Sequence, residues 1–239
     1  LLDFVRHAGI STRVEIIPNG VDPQRFYPAD DQQQRQTIRD TLGIAASDIM
    51  ITTVGGIMPR KGSHLLLEAW AQLAVEFPHV HLVLVGPRKD LEQPGLKNFR
   101  NQLRKFVSTS GAPERVHFTG LCKNVEEYQR ASDIFVLPSE REGMPNSVLE
   151  AMASRVAVIV TPFKGLSHDL GTPGTHFLLC DRNVTDLASA LRLLLKNPAQ
   201  RSKFAAQGYQ WIRENMNIER SLDRYAALYH ELAAAHKTE

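Results

Sequence analysis

The sequence predicts an α/β fold with a doubly wound parallel sheet, and two observations carry that expectation. Short, β-branched apolar runs recur along the chain, and an amphipathic helical pattern follows each of them. Strands this apolar, with no polar alternation, are buried on both faces, which parallel strands with crossover helices achieve.

The elements follow in order. Ile49 to Val54 is the first strand and stops at Gly55-Gly56; Gly62 to Phe77 then places Leu65, Leu66, Ala69, Leu73 and Phe77 on one helical face. The strand His81 to Val85 ends at Gly86-Pro87 and precedes a helix over Leu96 to Val107. The strand Val116 to Thr119 precedes the helix Asn124 to Ala131, and Ile134 to Leu137 precedes the helix Ser147 to Ser154. Val156 to Val160 is a further strand. Beyond Pro162 the rhythm weakens to a short apolar piece, Phe177 to Cys180, and helical patterns at Thr185 to Leu195, Ala199 to Asn215 and Ile218 to Ala235. The glutamine-rich patch Asp31 to Arg39 reads as a solvated helix face.

Composition narrows the function classes. The chain has 239 residues, 43% hydrophobic and 23% charged, which excludes intrinsic disorder, collagen and small disulfide scaffolds. Lys plus Arg total 28 against 26 acidic residues, so a net charge of +2 supplies no field for gripping nucleic acid or anionic lipid. No apolar run approaches the roughly 20 residues needed to span a bilayer. Cys122 and Cys180 have no CxxC or His-pair spacing and read as free thiols in a reducing, cytoplasmic compartment. Leu1 to Gly9 lacks signal-peptide character and helix caps, so the chain reads as part of something longer.

Ligands of doubly wound sheets bind beyond the carboxyl ends of the strands, so the turns there come first. Gly55-Gly56-Ile57-Met58-Pro59-Arg60-Lys61-Gly62 sets backbone N–H groups, a helix start and two cations beside such an end, an anion site in outline. It is neither a Walker A loop nor GxGxxG. Packing plus a solvated charge is the plainer use of such a turn. In the second turn, Pro138 to Asn146, Glu142 lies in the loop and Glu150 eight residues on, beside an apolar run of the next helix. Two carboxylates so placed serve acid and base catalysis, hydroxyl recognition, metal ligation or glycoside hydrolysis, or are only charges near a helix start.

These residues resemble the retaining glycosyltransferases of family 4, also called group 1, which have the GT-B fold. The resemblance rests on EGMPNSVLEAMA with Glu142 and Glu150, on ASDIFVLPS from Ala131 to Ser139, VGGIMPRKG from Val54 to Gly62, LVLVG from Leu82 to Gly86 and VHFTG from Val116 to Gly120. IPNGVDPQRFYP, from Ile17 to Pro28, is similar to the segment leading out of the acceptor domain. Each motif alone is weak, but the ordered set spans essentially the whole chain.

The resemblance implies the carboxyl-terminal, Rossmann-like donor-binding half of a two-domain enzyme: residues 1–29 as a remnant of the acceptor domain and linker, 30–217 as the nucleotide-sugar domain, and 218–239 as a helix directed toward the other domain. It also implies that a nucleoside-diphosphate sugar is the donor substrate, with Gly55, Gly56 and Lys61 at its diphosphate, Glu150 at its ribose, and Glu142 with Gly143, Met144, Pro145 and Asn146 at its sugar. Glu142 is the catalytic candidate. No metal is expected. A saccharide or lipid-linked acceptor would bind the other half, and the intact protein could lie at the inner membrane face. The face of Ile218 to Ala235 that carries Leu222, Tyr225, Ala226, Tyr229 and Leu232 is expected to be partly uncovered or buried by self-association, with ordinary packing on the donor domain as the alternative.

Two positions depart from the family pattern. Members commonly carry Arg where this chain has Gly56, so the diphosphate lacks its usual second cation; Arg60 is the candidate replacement, although adjacent positions at a helix start point about 100° apart. FKGLSHDLG, from Phe163 to Gly171, puts His168 where a Glu is usual. A non-catalytic sugar-nucleotide-binding module therefore stands beside the transferase reading. A nicotinamide oxidoreductase lacks its glycine fingerprint, and a GT-B epimerase is disfavoured by the motif pair.

Overall fold

The computed structural model describes residues 7–9, 13–87, 94–166 and 168–235, the side chains of 94, 168 and 235 excepted. Six parallel strands, β1 (Ile49–Val54), β2 (Val80–Val85), β3 (Val116–Gly120), β4 (Ile134–Leu137), β5 (Ala157–Val160) and β6 (Leu178–Leu179), form a sheet in the order β3-β2-β1-β4-β5-β6. The helices are α1 (Gln32–Thr41), α2 (Ser63–Ala71), α3 (Lys97–Thr109), α4 (Val125–Ala131), α5 (Asn146–Ala153), α6 (Val184–Lys196), α7 (Pro198–Asn215) and α8 (Ile218–Ala235).

The continuous apolar runs have the predicted cause. Every residue of β2, β4 and β5 is buried, and the period-2 alternation of a strand sends neighbours into different cores. Ile51, Leu82, Leu84, Ile134, Val136 and Ile159 pack with α2, α3 and α6. Phe135, Leu137, Val158 and Val160 pack with α5 and α7, while Met50, Val83 and Val85 pack against Ile38 of α1 and Ala131 of α4. Strand order reverses between β1 and β4, so the loops leaving these two strands diverge around a crevice.

Two elements differ from expectation. The helix predicted to run to Phe77 ends at Ala71, and Leu73 N–H turns back to the Trp70 carbonyl at 2.8 Å. The Arg115 guanidinium collects the freed carbonyls of Ala74 and Phe77 at 2.7 and 2.9 Å, and that of Val80 at 3.1 Å, so the early ending leaves them satisfied. The glutamine-rich patch is indeed helical but is not only a solvated face, because Arg39 of α1 is fully buried. Arg39 donates to the Ala131 and Ala45 carbonyls, to that of Asp48, and to Asp133 Oδ2. Asp133 also accepts from Arg35 and from Met50 N–H, tying α1 to the amino ends of β1 and β4.

Helix α5 ends in a Schellman turn: Val156 N–H reaches the Ala151 carbonyl at 3.0 Å and Arg155 N–H that of Met152 at 2.9 Å. Arg155 occupies its left-handed position at φ 57°, where glycine is usual; a side chain there costs about 1 to 2 kcal/mol. It is the single non-glycine residue with positive φ among those described.

Residues 16–27 run beside α7 and α8. Val21 N–H bonds the Met216 carbonyl at 2.8 Å, Ser221 Oγ bonds that of Pro18 at 2.8 Å, and Arg25 pairs with Glu126 of α4 at 2.9 Å. Along α8, Leu222, Tyr225, Tyr229 and Leu232 are exposed. No described helix is long and apolar enough to cross a membrane.

Candidate functional site

The two turns singled out in the sequence are the loops after β1 and β4, and they meet across the crevice. Gly55 leaves β1 at φ 139° and Gly86 leaves β2 at φ 147°; a Cβ on Gly86 would stand 2.0 Å from the Gly55 carbonyl oxygen. Only glycine allows that approach. Ile57 is buried and anchors the β1 loop through its N–H to the Pro87 carbonyl at 3.1 Å. The chain then makes a single 3-10 turn, Pro59–Lys61, and reaches Gly62 at φ 72°, where a Cβ would fall 2.1 Å from the Pro138 carbonyl oxygen. Gly62 thus seats the β1 turn directly on the end of β4.

This seating brings Lys61 Nζ within 2.7 Å of Glu142 Oε1. Both side chains are largely sheltered, Lys61 at 21% and Glu142 at 9% exposure. The lysine stem lies over Gly55, where a Cβ would be 3.5 Å from Lys61 Cε. Arg60 points elsewhere: its Nη1 donates to the Arg141 carbonyl at 2.6 Å, and its own carbonyl accepts from Glu140 N–H at 2.9 Å. Those bonds clamp the two turns together.

The Glu142 loop is held from behind by residues 163–165. Glu142 N–H meets the Lys164 carbonyl at 3.4 Å, Lys164 N–H meets that of Glu140 at 3.1 Å, and Gly165, at φ 105°, lies so close that a Cβ would be 2.5 Å from the Glu142 carbonyl oxygen. Pro145, buried, then starts α5 without a side-chain cap, leaving the amides of its first turn to be met by backbone, solvent or ligand. Asn146 is exposed and its Oδ1 accepts from Asn19 Nδ2 at 3.0 Å. A cavity of about 650 Å³ opens beside Glu142, Gly143 and Met144, walled opposite by Ile16, Asn19 and Lys164.

Glu150 sits in a different environment. Burial pushes its carboxyl above the ordinary range, Glu126 adds to that push, and Arg25 opposes it. Glu150 thus feels the charges of Arg25 and Glu126 while Glu142 pairs with Lys61, so the two carboxylates have separate electrostatic surroundings. Gly56, half-buried, carries no cation to this corner.

Several neighbours escaped the sequence reading. Asn19 lies in the IPNG stretch but was not singled out, and Lys164 lies in the FKGL stretch that departs from the family pattern. Ser139, in the loop after β4, is fully buried with its Oγ lacking a partner, a feature no linear pattern signals. The His168 side chain lies outside the described residues. Among the described residues no cluster of three or more His, Cys, Asp and Glu forms a metal-ligand set.

A doubly wound parallel sheet with a candidate site at the β1/β4 reversal is the arrangement in which open α/β proteins bind their ligands. The chain belongs to the glycosyl transferases group 1 family, whose pattern it matches over residues 34–211. It is 30% identical over 244 aligned residues to the D-inositol 3-phosphate glycosyltransferase of Geodermatophilus obscurus, covering 97% of this chain and 51% of that protein. The sucrose-phosphate synthase of Thermosynechococcus elongatus superposes with a TM-score of 0.80 at 26% identity, over 98% of this chain and 56% of that one. HepE of Anabaena, in complex with UDP and glucose, superposes at 0.84 with 20% identity, over 96% of this chain and 60% of that one, a likeness of fold. The chain spans about half the length of these relatives.

Proposed function

We propose that this chain is the donor-binding half of a retaining, family 4 glycosyltransferase that moves a sugar from a nucleoside diphosphate to an acceptor hydroxyl. The observation that carries the proposal is the Lys61–Glu142 contact at the β1/β4 reversal, which sets a cation able to meet phosphate oxygens beside a carboxylate able to accept from hydroxyls. An ammonium neutralises phosphate oxygens, and a carboxylate accepts from vicinal hydroxyls. In this account Lys61, the Gly55-Gly56 turn and the uncapped start of α5 hold the diphosphate. Glu150 takes the ribose. Glu142, with Gly143 to Asn146, takes the sugar. The leaving diphosphate is stabilised by Lys61 and backbone amides, with no metal. UDP and glucose in HepE, a protein of the same fold, support a sugar nucleotide as the ligand class.

The acceptor, a saccharide or a lipid-linked one, belongs in this account to a first domain of which residues 1–29 are the end. Residues 30–217 are the nucleotide-sugar domain, and α8 reaches toward the first domain. Positioning the acceptor hydroxyl at the anomeric carbon is worth up to ~7 to 11 kcal/mol of barrier, so the 239 residues alone should bind donor and transfer nothing. Sugar transfer by the purified chain, above a Glu142→Ala control, would overturn the half-enzyme assignment.

One observation favours a second reading, a sugar-nucleotide-binding module without transfer: Gly56 leaves the crevice short of a cation, and Arg60 is engaged with the Arg141 carbonyl. Turnover assays on the complete gene product separate the two, because a binding module gives none while its diphosphate affinity persists.

A further inference from the structure

We propose that a second cleft, at the opposite end of the strands from the crevice, binds a phosphate monoester. This cleft has a volume of about 450 Å³ and lies at the amino ends of β1, β4 and β5, between α1 and the last turns of α4 and α5. A six-residue strand separates it from the Lys61 turn by about 20 Å. It is large enough for a small metabolite rather than a bare ion.

Arg35, Arg130 and Arg155 line the cleft, against Asp31 and Asp133. Both carboxylates are already committed. Asp31 caps α1 by accepting from Gln34 N–H at 2.7 Å, and Asp133 serves Arg35 at 2.5 Å, the buried Arg39 at 3.3 Å and Met50 N–H at 2.8 Å. Arg130 is nearly buried and pre-oriented: its guanidinium stacks over Tyr27 at 4.5 Å, and Nη1 is fixed on the Arg25 carbonyl at 2.9 Å. A planar fork held in this way suits an oxyanion, and forks from separate helices suit one with three acceptor oxygens.

Arg155 is the decisive residue. It keeps a left-handed backbone at a position that glycine fills without cost, and its exposed side chain stands at the cleft with no hydrogen bond or ion pair to the other described residues. Favourable charge at the end of α5 would be had equally one turn earlier, without the backbone penalty. A cation held on a strained backbone at the mouth of a cleft, beside a buried hydroxyl without a partner, points to a ligand. Next to it Ser154, which also lines the cleft, is 4% exposed and its Oγ has no partner.

The test uses the 239-residue chain and glucose 6-phosphate as the probe, with glucose and matched ionic strength as controls, read by calorimetry and by thermal melting. The chain is expected to bind glucose 6-phosphate and not glucose. Arg155→Gly should weaken that binding at least tenfold while its ligand-free melting temperature stays equal or rises. Arg155→Asn, which tolerates the same backbone, should weaken it likewise. Lys61→Ala should leave it unchanged. Binding undiminished in both Arg155 variants, binding lost in Lys61→Ala, or no preference for the phosphate over glucose would each overturn the proposal.

Discussion

Lys61 Nζ stands 2.7 Å from Glu142 Oε1, joining a residue of the β1 turn to one of the β4 turn across the point where strand order reverses. The sheltered pair is mutually neutralising. Under the proposed function, a diphosphate arriving there would draw the ammonium away and free the carboxylate to accept from sugar hydroxyls. Glu142→Gln should therefore tighten binding of a bare nucleoside diphosphate, by about two- to tenfold, from the ~0.5 to 1.5 kcal/mol net worth of such a contact. It should at the same time reduce the preference for the sugar nucleotide over the diphosphate. Calorimetry with both ligands checks this; a loss of affinity for both alike would mean that the pair does not exchange partners.

Glu150 carries the second expectation. Its burial disfavours the charged form, so its pKa in the folded chain lies above the unfolded value. A group of that sign stabilises the fold most below the unfolded pKa, and the contribution is lost as pH rises through the folded one. Glu150→Gln should consequently raise the melting temperature of the ligand-free chain at pH 7. If the carboxylate also holds ribose, the substitution should penalise ribonucleotides more than their 2'-deoxy analogues. A lower melting temperature together with equal losses for both sugars would remove Glu150 from the ribose.

The acid limb of stability should report on the histidines at the amino ends of β2 and β3. His81 Nδ1 lies 3.1 Å from His117 Nε2, and Asp48 Oδ2 is 3.2 Å from His81 Nε2. Burial, with His81 adding to it, pushes His117 down to about 4, and burial also lowers His81 against the pull of Asp48. Both shifts favour the neutral ring in the folded chain. The contribution of His117 is fully present above the unfolded value near 6.5 and is lost as pH falls toward 4, and that of His81 has the same sign. Urea midpoints between pH 7 and pH 4 should fall less steeply for His117→Gln than for the parent chain. Parallel slopes would show that another group governs the limb.

The fold was legible because period and punctuation agreed: runs such as His81 to Val85 are apolar on both faces, and those of β1 to β4 each end at or next to a glycine or proline. The two loops carrying the site were legible for the same reason. Their mutual seating was not, since it depends on Gly62 closing on the Pro138 carbonyl and on Arg60 spending its guanidinium on Arg141, contacts between residues about eighty positions apart. Arg39 was misjudged because a helix of glutamines and arginines reads as solvated until Asp133 and three carbonyls are seen to surround its guanidinium. Arg155 gave no signal at all, because a left-handed residue is visible only in the backbone.

Under the proposed function, the crevice between the β1 and β4 turns holds the diphosphate of a sugar nucleotide through Lys61. Calorimetric titration of the chain with uridine, guanosine and adenosine diphosphates, repeated on Lys61→Ala, tests it most directly. One diphosphate should bind at a single site and lose ~1.5 to 3 kcal/mol, more than tenfold in affinity, in Lys61→Ala, while the corresponding nucleoside is unaffected. Failure of all three to bind, or equal weakening of diphosphate and nucleoside, would contradict the account.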